Sequence, residues 1–453
     1  MKKGTRLFAV LVALSFSLSL ITACSSSSDP HPDGDPTEAA SSEAYAACLA
    51  PYTGAANHLS EDEQRLYNDT VIALLEQELW TSRDAYDASH YLMVPMFYAF
   101  RSGESSLIEA YARFFARFAE EVGNGTSAFT SIGDLDKLQF HFFATQFMVL
   151  CALHGRQELV PAVLPELSQR CAEYVLYDVP SNWGVEPSYE YHIQTVLSGK
   201  QYSRQYYSMI DDFTLFSLGI LCGLHIYHSE SNLPVSRTEE QAREDAYQLF
   251  ASPLLNTTTA DDGWLFQVGV CSDYGDFAYA GNPSITEGIE PCVKEDIVAD
   301  SSHFHRMPLL LATFGLAQTE YERQALFLQR RAQLSNQLIN HVLQEVDGHW
   351  LTTTFMDGTN GVYRYSYNTE GVGLEGYALS GTFLMGWWSL LADDRVSEVY
   401  RDILPTFPMA GDRSNPYYDY ATTRERNPFF DASSAFDTGM LECTVLCAAR
   451  LGE

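Results

Sequence analysis

Three stretches of the chain gather the side chains that chemistry needs. The first holds Trp183, Glu186, Tyr189, Glu190, Tyr191 and His192. The second begins with Asp273, Tyr274 and Asp276 and resumes at Asp300, His303, His305 and Arg306. The third runs through Asp357, Asn360, Tyr363, Arg364, Tyr365, Tyr367, Asn368, Glu370 and Glu375. Aromatic faces beside carboxylates, amides and guanidinium groups suit a carbohydrate, whose rings offer weakly apolar faces and a rim of hydroxyls. With 27 Tyr and 26 Phe in the chain, some clustering of rings is inevitable. The coincidence of those rings with the few basic residues therefore carries more weight than any single aromatic.

Two mechanisms can be assembled from these residues. In a lyase, Arg306 or Arg364 neutralises a uronate carboxylate and His303 or His305 removes the adjacent proton. Tyr365 or Tyr367 then protonates the leaving oxygen, with Asn368 assisting. Histidine suits proton abstraction because its unperturbed pKa lies near 6.5. In a hydrolase two carboxylates flank the bond, Asp273 or Asp276 with Asp357 or Glu375. Trp183, Glu186, Tyr189, His192 and Asp273 are expected to line the substrate path in either case. The sequence calls for no cofactor. The Asp273-Tyr274-Gly275-Asp276 turn admits a structural calcium ion but is no EF-hand loop, and no cysteine or histidine spacing makes a zinc site.

The elements that must position these groups read as helices. Apolar residues recur at three and four positions through 61–80, 89–100, 105–122, 138–153, 159–174, 213–228, 239–250, 303–316, 320–343, 373–391, 396–403 and 434–451. Strand signals are confined to 263–270 and 350–355, each after an aspartate-glycine turn. Several helices share a start. Asp87-Ala88-Ser89-His90-Tyr91 precedes Pro95 as Asp300-Ser301-Ser302-His303-Phe304 precedes Pro308, in identical register. Asp431-Ala432-Ser433 repeats the opening, and Asp136 with Phe140 and His141 is a looser copy. Aspartate and serine at such places cap the free amides of a first turn. On that reading His90 and His303 serve helix starts, whereas His305 and Arg306, replaced by Leu92 and Met93 in the first copy, are released for function.

Apolar helices alternate with amphipathic ones, the pattern of an inner ring covered on all sides and an outer ring covered on one. Six such pairs predict an all-α (α/α)6 toroid with short β-hairpins in its loops. An irregular bundle or an open helical superhelix is the alternative. The repeated helix pairs, the turns Asp262-Gly263-Trp264 and Asp347-Gly348-His349-Trp350, and the stretch Tyr365 to Gly371 leading into Tyr377-Ala378-Leu379-Ser380-Gly381-Thr382 resemble the (α/α) toroid superfamily. That superfamily comprises polysaccharide lyases, glycoside hydrolases and sugar epimerases. The resemblance spans roughly residues 60 to 451 and concerns architecture. It implies a polysaccharide or oligosaccharide substrate, with no single family and no catalytic signature attached.

The N-terminus speaks to location. Lys2, Lys3 and Arg6 precede an apolar run from Leu7 to Ile21, too short for a permanent span but right for a signal peptide. The run ends in Leu20-Ile21-Thr22-Ala23-Cys24, which resembles a bacterial lipobox. This gives a signal peptide over 1–23, lipidation at Cys24, a disordered tether over 24–56 and a helical domain over 57–453. Ser25 after the cysteine points to the outer membrane of a Gram-negative cell. A formal charge of −32 disfavours nucleic acid and anionic headgroups. The eight remaining cysteines in an oxidising compartment allow four disulfides, with Cys271–Cys292 the best local pair and Cys443 and Cys447 facing one neighbour. A lipid-anchored scaffold that binds a glycan or protein without chemistry fits the same tether and surface.

Overall fold

The computed structural model describes residues 36–81, 84–125, 127–181, 184–200, 209–267, 269–271, 284, 294–362, 374–418 and 434–453, with backbone alone at 36–38, 269–271 and 294–297. The fold is predominantly helical, with three short antiparallel strand pairs. Asn256–Thr258 pairs with Trp264–Phe266 and Leu343–Val346 with His349–Thr352, both as hairpins. The tip of the second hairpin has Asp347 at φ 50° and Gly348 at φ 79°. Two successive positive φ angles match the right-handed twist of the strands they join, which is why Asp-Gly stands there.

Six segments form the core. They are Asp84–Ser102, Asp134–Leu153, Asp212–Glu230, Met307–Leu316, the pair of 3-10 turns Ser380–Met385 and Trp387–Leu391, and Met440–Leu451. Each is apolar almost all round, and in Met307–Leu316 every residue is buried. Asp84–Ser102 packs on Asp134–Leu153, which packs on Asp212–Glu230, which packs on Met307–Leu316. Met307–Leu316 touches Trp387–Leu391, both 3-10 turns touch Met440–Leu451, and that helix packs on Asp84–Ser102. Amphipathic helices cover this set. Ser105–Gly123 lies against Asp84–Ser102, Leu164–Glu173 against Asp134–Leu153 and Asp212–Glu230, and Arg237–Ala251 against Asp212–Glu230. Tyr321–Gln337 covers Met307–Leu316, and Asp394–Ile403 covers Met440–Leu451.

Close approach of these helices depends on small residues. A Cβ at Gly223 would lie 2.4 Å from the Thr145 methyl, and one at Gly219 would lie 2.9 Å from Leu310 and Phe142. The sequence predicts one α-helix over 373–391, yet the described part is two 3-10 turns broken at Gly386. Gly386 has φ +86°, and a Cβ there would meet Val94, Ala448 and the Thr444 carbonyl at 3.1–3.2 Å. Gly386→Ala is expected to lose about 2 kcal/mol, from the left-handed backbone alone at about 1–2 kcal/mol and from crowding for the rest. The loss would be seen as a lower urea midpoint at unchanged slope.

Two further sequence expectations require correction. Part of the segment expected to be a disordered tether is folded: Pro36–Cys48 is helical and packs on Tyr321–Gln337 and Met307–Leu316. Its alanines favour helix, Ala44 and Cys48 are buried, and Tyr52 beyond it bonds Thr313 Oγ1 at 2.6 Å. Buried Arg331 fixes the end of this helix, donating to the Ala47 carbonyl at 3.3 Å and to the Leu391 carbonyl at 3.0 Å.

The second correction is to the disulfides. Cys48, Cys151, Cys171, Cys222, Cys443 and Cys447 are free thiols, and among the described residues no Sγ–Sγ pair is within bonding distance. Cys443 and Cys447 stand on consecutive turns of one helix, where Cβ atoms are about 5–6 Å apart, beyond the reach of a disulfide. The side chain of Cys271 and all of Cys292 lie outside the described residues. The buried thiols act as small apolar packing groups.

Candidate functional site

The three sequence-predicted segments are stitched together by hydrogen bonds at the N-terminal ends of core helices. Asp300 caps the Ser301–Phe304 turn, accepting from the His303 amide at 2.8 Å. Its backbone bridges to Phe355, while Ser301 N donates to the Thr354 carbonyl and Ser301 Oγ to the Thr353 carbonyl. The second segment is thus zipped to the start of the third. Asn360 closes the far side, its Oδ1 accepting from the amides of Thr354 and Tyr377. The first segment arrives through Met209 and Ile210. His192 Nε2 donates to the Met209 carbonyl at 2.9 Å, and the Gln267 amide group pairs with both the N–H and the C=O of Ile210. This sets the start of the Asp212–Glu230 helix, where Asp211 caps Thr214.

At the junction sits Arg306. Its guanidinium pairs with Asp212, donates to Tyr86 Oη at 2.5 Å and reaches His90 Nε2 at 3.2–3.3 Å. It also lies 5.4 Å from the centre of the Phe216 ring. His90 Nδ1 must carry a proton, because it faces the Tyr86 carbonyl at 2.9 Å. Its Nε2 is then the lone pair that receives Arg306, so His90 is held neutral. Trp387 completes the group, donating from Nε1 to the His90 carbonyl at 2.8 Å and lying edge-on to His305. Burial opposes the Arg306 charge, but Asp212, Tyr86 and Asp300 more than offset it and hold the proton more firmly than in a free arginine.

Arg306 and His305 are therefore not the exposed groups the sequence suggests. Arg306 is 3 % exposed with its donors engaged, so it ties helix starts together instead of meeting a substrate carboxylate. His305 is 2 % exposed and its Nδ1 donates to the Ser302 carbonyl. Burial, with the Arg306 charge beside it, pushes its pKa down to about 3, which leaves it neutral and a weak base. Its Nε2 finds no hydrogen-bond partner among the described residues. The buried pair Glu186–His192, 2.6 Å apart, and Tyr189, stacked on Phe213 at 5.3 Å, likewise hold the first segment in place and do not face solvent. Asp357 accepts from the Thr359 amide within a turn, and Glu375 is exposed. Trp183, Asp273, Asp276, Arg364, Tyr365, Tyr367 and Asn368 lie outside the described residues, as does the Asp273–Asp276 turn read as a calcium loop. Among the described residues no group of three His, Cys, Asp or Glu is placed to hold a metal ion.

His303 is different. Its ring is about one-third exposed, and Nδ1 lies 2.9 and 3.0 Å from the two Asp300 oxygens. A carboxylate on Nδ1 fixes the tautomer and leaves Nε2 as the basic nitrogen. Of the two histidines of this turn it is thus His303 whose ring reaches solvent and His305 that is buried, opposite to what the first copy of the motif suggests. Sequence reasoning missed Tyr86, Asp212, Gln267 and Trp387. Only Tyr86 carried a signal, standing one helical turn before His90.

The buried histidines make stability depend on pH. His305 and His141 both have folded pKa values near 3, well below the unfolded 6.5. Their contribution is complete above pH 6.5 and is lost as pH falls toward 3, at about 1.4 kcal/mol per pH unit for each. Asp84 and Asp245, whose carboxyls burial pushes up to about 6, act in the opposite sense between pH 6 and 4. Denaturation of the wild type and His305→Gln across pH 4–7 should isolate the histidine term as a shallower acid slope in the variant.

No family model, curated protein or solved structure matches the chain.

Proposed function

We propose that this protein is a glycan-processing enzyme built on an (α/α)6 toroid and held outside the cytoplasm by lipid at Cys24. In this reading it is a polysaccharide lyase on a uronate-containing polymer or oligosaccharide. The order in which the six core segments touch, returning from Met440–Leu451 to Asp84–Ser102, supports the closed ring. Amphipathic helices against most of its members support the outer layer. The apolar run before Cys24, followed by a serine-rich stretch, supports export and anchoring at an outer membrane.

The observation that carries the catalytic reading is the Asp300–His303 pair. It is a carboxylate-oriented, partly exposed imidazole at the place where three segments rich in rings and acids are joined. His303 is assigned the base. Since Arg306 is spent on Asp212, the neutralising role passes to Arg364. The acid is assigned to Tyr365 or Tyr367, with Asn368 assisting. The test is a panel of uronate-containing and neutral glycans. Ultraviolet absorbance of an unsaturated product rising together with reducing ends supports the lyase. Reducing ends alone would replace it with an inverting hydrolase using pairs such as Asp276 with Glu375. Silence in both would leave a glycan- or protein-binding scaffold.

A further inference from the structure

The core helices run parallel. Gly219 and Gly223 face Phe142 and Thr145 in the same order along the chain. Arg306 meets Asp212 and His90 near the starts of three helices, and Gln146 bonds Thr313 farther along two of them. The Asp300–His303 pair, just before Arg306, therefore stands at the amino end of the ring. The stretch from Pro36 to Ser60 crosses the opposite, carbonyl end. Tyr45 donates to Glu230, the last residue of Asp212–Glu230. Cys48 lies against Gly315, near the end of Met307–Leu316, with Sγ 3.3 Å from where a Cβ would stand. His154, which ends Asp134–Leu153, donates to the Tyr52 carbonyl at 2.9 Å. The Ala56 amide donates to the Arg101 carbonyl at 3.1 Å, and Asn57 donates to Glu453 at 2.8 Å, just past Met440–Leu451. One stretch of chain thus meets all five core α-helices at their carbonyl ends. Its first turns lie there too, because Ser41 and Ser42 share a hollow with Ser229, Glu230 and Thr319.

We propose that an anchor at Cys24 holds the ring by this carbonyl end, so that the Asp300–His303 end opens to the aqueous side, away from the membrane. The inference rests on the reading of Cys24 as the lipidated residue. Twelve residues, Cys24 to Asp35, separate that anchor from Pro36. Fully extended they span about 43 Å at most. The Asp212–Glu230 helix alone, nineteen residues, is about 28 Å long. Tyr45 holds one end of it, and the Arg306 junction with the His303 turn stands at the other. Bringing that far end to the bilayer would draw the twelve residues along the outside of the ring near full extension, at the loss of most of their conformational entropy. With the carbonyl end toward the bilayer the same residues need no extension. Substrate then reaches His303 from solution. A short saccharide carried on a lipid of the same bilayer is kept from it by the height of the ring.

The experiment measures energy transfer from a dye on the protein to an acceptor in the headgroups of phosphatidylcholine vesicles. The dye is placed on Leu233→Cys, just past the end of Asp212–Glu230, or on Ser131→Cys, just before the start of Asp134–Leu153, both exposed positions. The unsubstituted chain, whose described thiols are buried or half-buried, sets the labelling background. The mature chain is attached to a nickel-chelating lipid through a hexahistidine in place of Cys24, so the outcome does not depend on whether a cell lipidates that residue. Mass spectrometry of the mature N-terminus from a Gram-negative host answers that question separately, and an N-terminus without lipid would strike the anchor from the proposed function. Transfer should be at least about twofold higher from Leu233→Cys, whose dye lies about one helix length, ~28 Å, nearer the surface. Tripling the segment before Pro36 with glycine and serine should bring the two values together, because its reach then exceeds the height of the ring. Equal transfer from the two sites, or more from Ser131→Cys, would overturn the orientation. A difference that survives the longer segment would overturn the tether as its cause.

Discussion

Replacing Arg306 by methionine is expected to cost about 3–5 kcal/mol of folding stability, the usual result of removing one partner from a buried ion pair. Arg306 is buried and its partner Asp212 is about one-quarter exposed, so water recovers only part of the loss. The same substitution strips a donor from Tyr86 Oη and from the His90 lone pair, so the first core helix loses its side-chain tie to the Ser301–Arg306 turn. Asp212→Asn in the Arg306→Met background should restore much of the loss, because the stranded carboxylate is then neutral. A double-mutant cycle in urea measures both numbers. An Arg306→Met protein within 1 kcal/mol of the wild type would mean that the helix starts are held by packing alone.

That prediction rests on contacts invisible in the sequence. Arg306 lies 94 residues from Asp212 and 216 from His90. Nothing local distinguishes an arginine that neutralises substrate from one that neutralises a helix start, since both stand beside histidine, aspartate and aromatics. Local periodicity carried most of the helices, aspartate-glycine turns marked both hairpins, and the capping chemistry of Asp300 was legible because it too is local. It failed where local preference was overridden. Gly386 breaks the expected 373–391 helix because Val94 and Ala448 come too close for a side chain. Asp87 lies inside the first turn instead of capping it, the helix beginning at Asp84. Pro36–Cys48 looked like tether because its serines and alanines offer little apolar surface. It folds because Tyr52 and Arg331, far apart in the chain, bracket its end.

The division between His303 and His305 yields the sharpest functional expectation. His303→Ala should lower kcat on the glycan that the panel identifies by about 10²–10⁴, the range for a lost general base, with KM little changed. Stability should shift by less than about 1 kcal/mol, because the ring is one-third exposed and its backbone amide remains capped by Asp300. Asp300→Asn probes the orienting carboxylate without losing the cap, since asparagine caps as well as aspartate. Its activity should fall less than that of His303→Ala, and combining the two should add little, because Asp300 acts on the reaction through the imidazole. His305→Gln should instead reduce stability and leave kcat near the wild-type value, the buried ring having no route to substrate. If His303→Ala keeps full kcat while His305→Gln abolishes it, the roles assigned to these two residues must be exchanged, and the turn from Ser301 to Arg306 would have to open for catalysis.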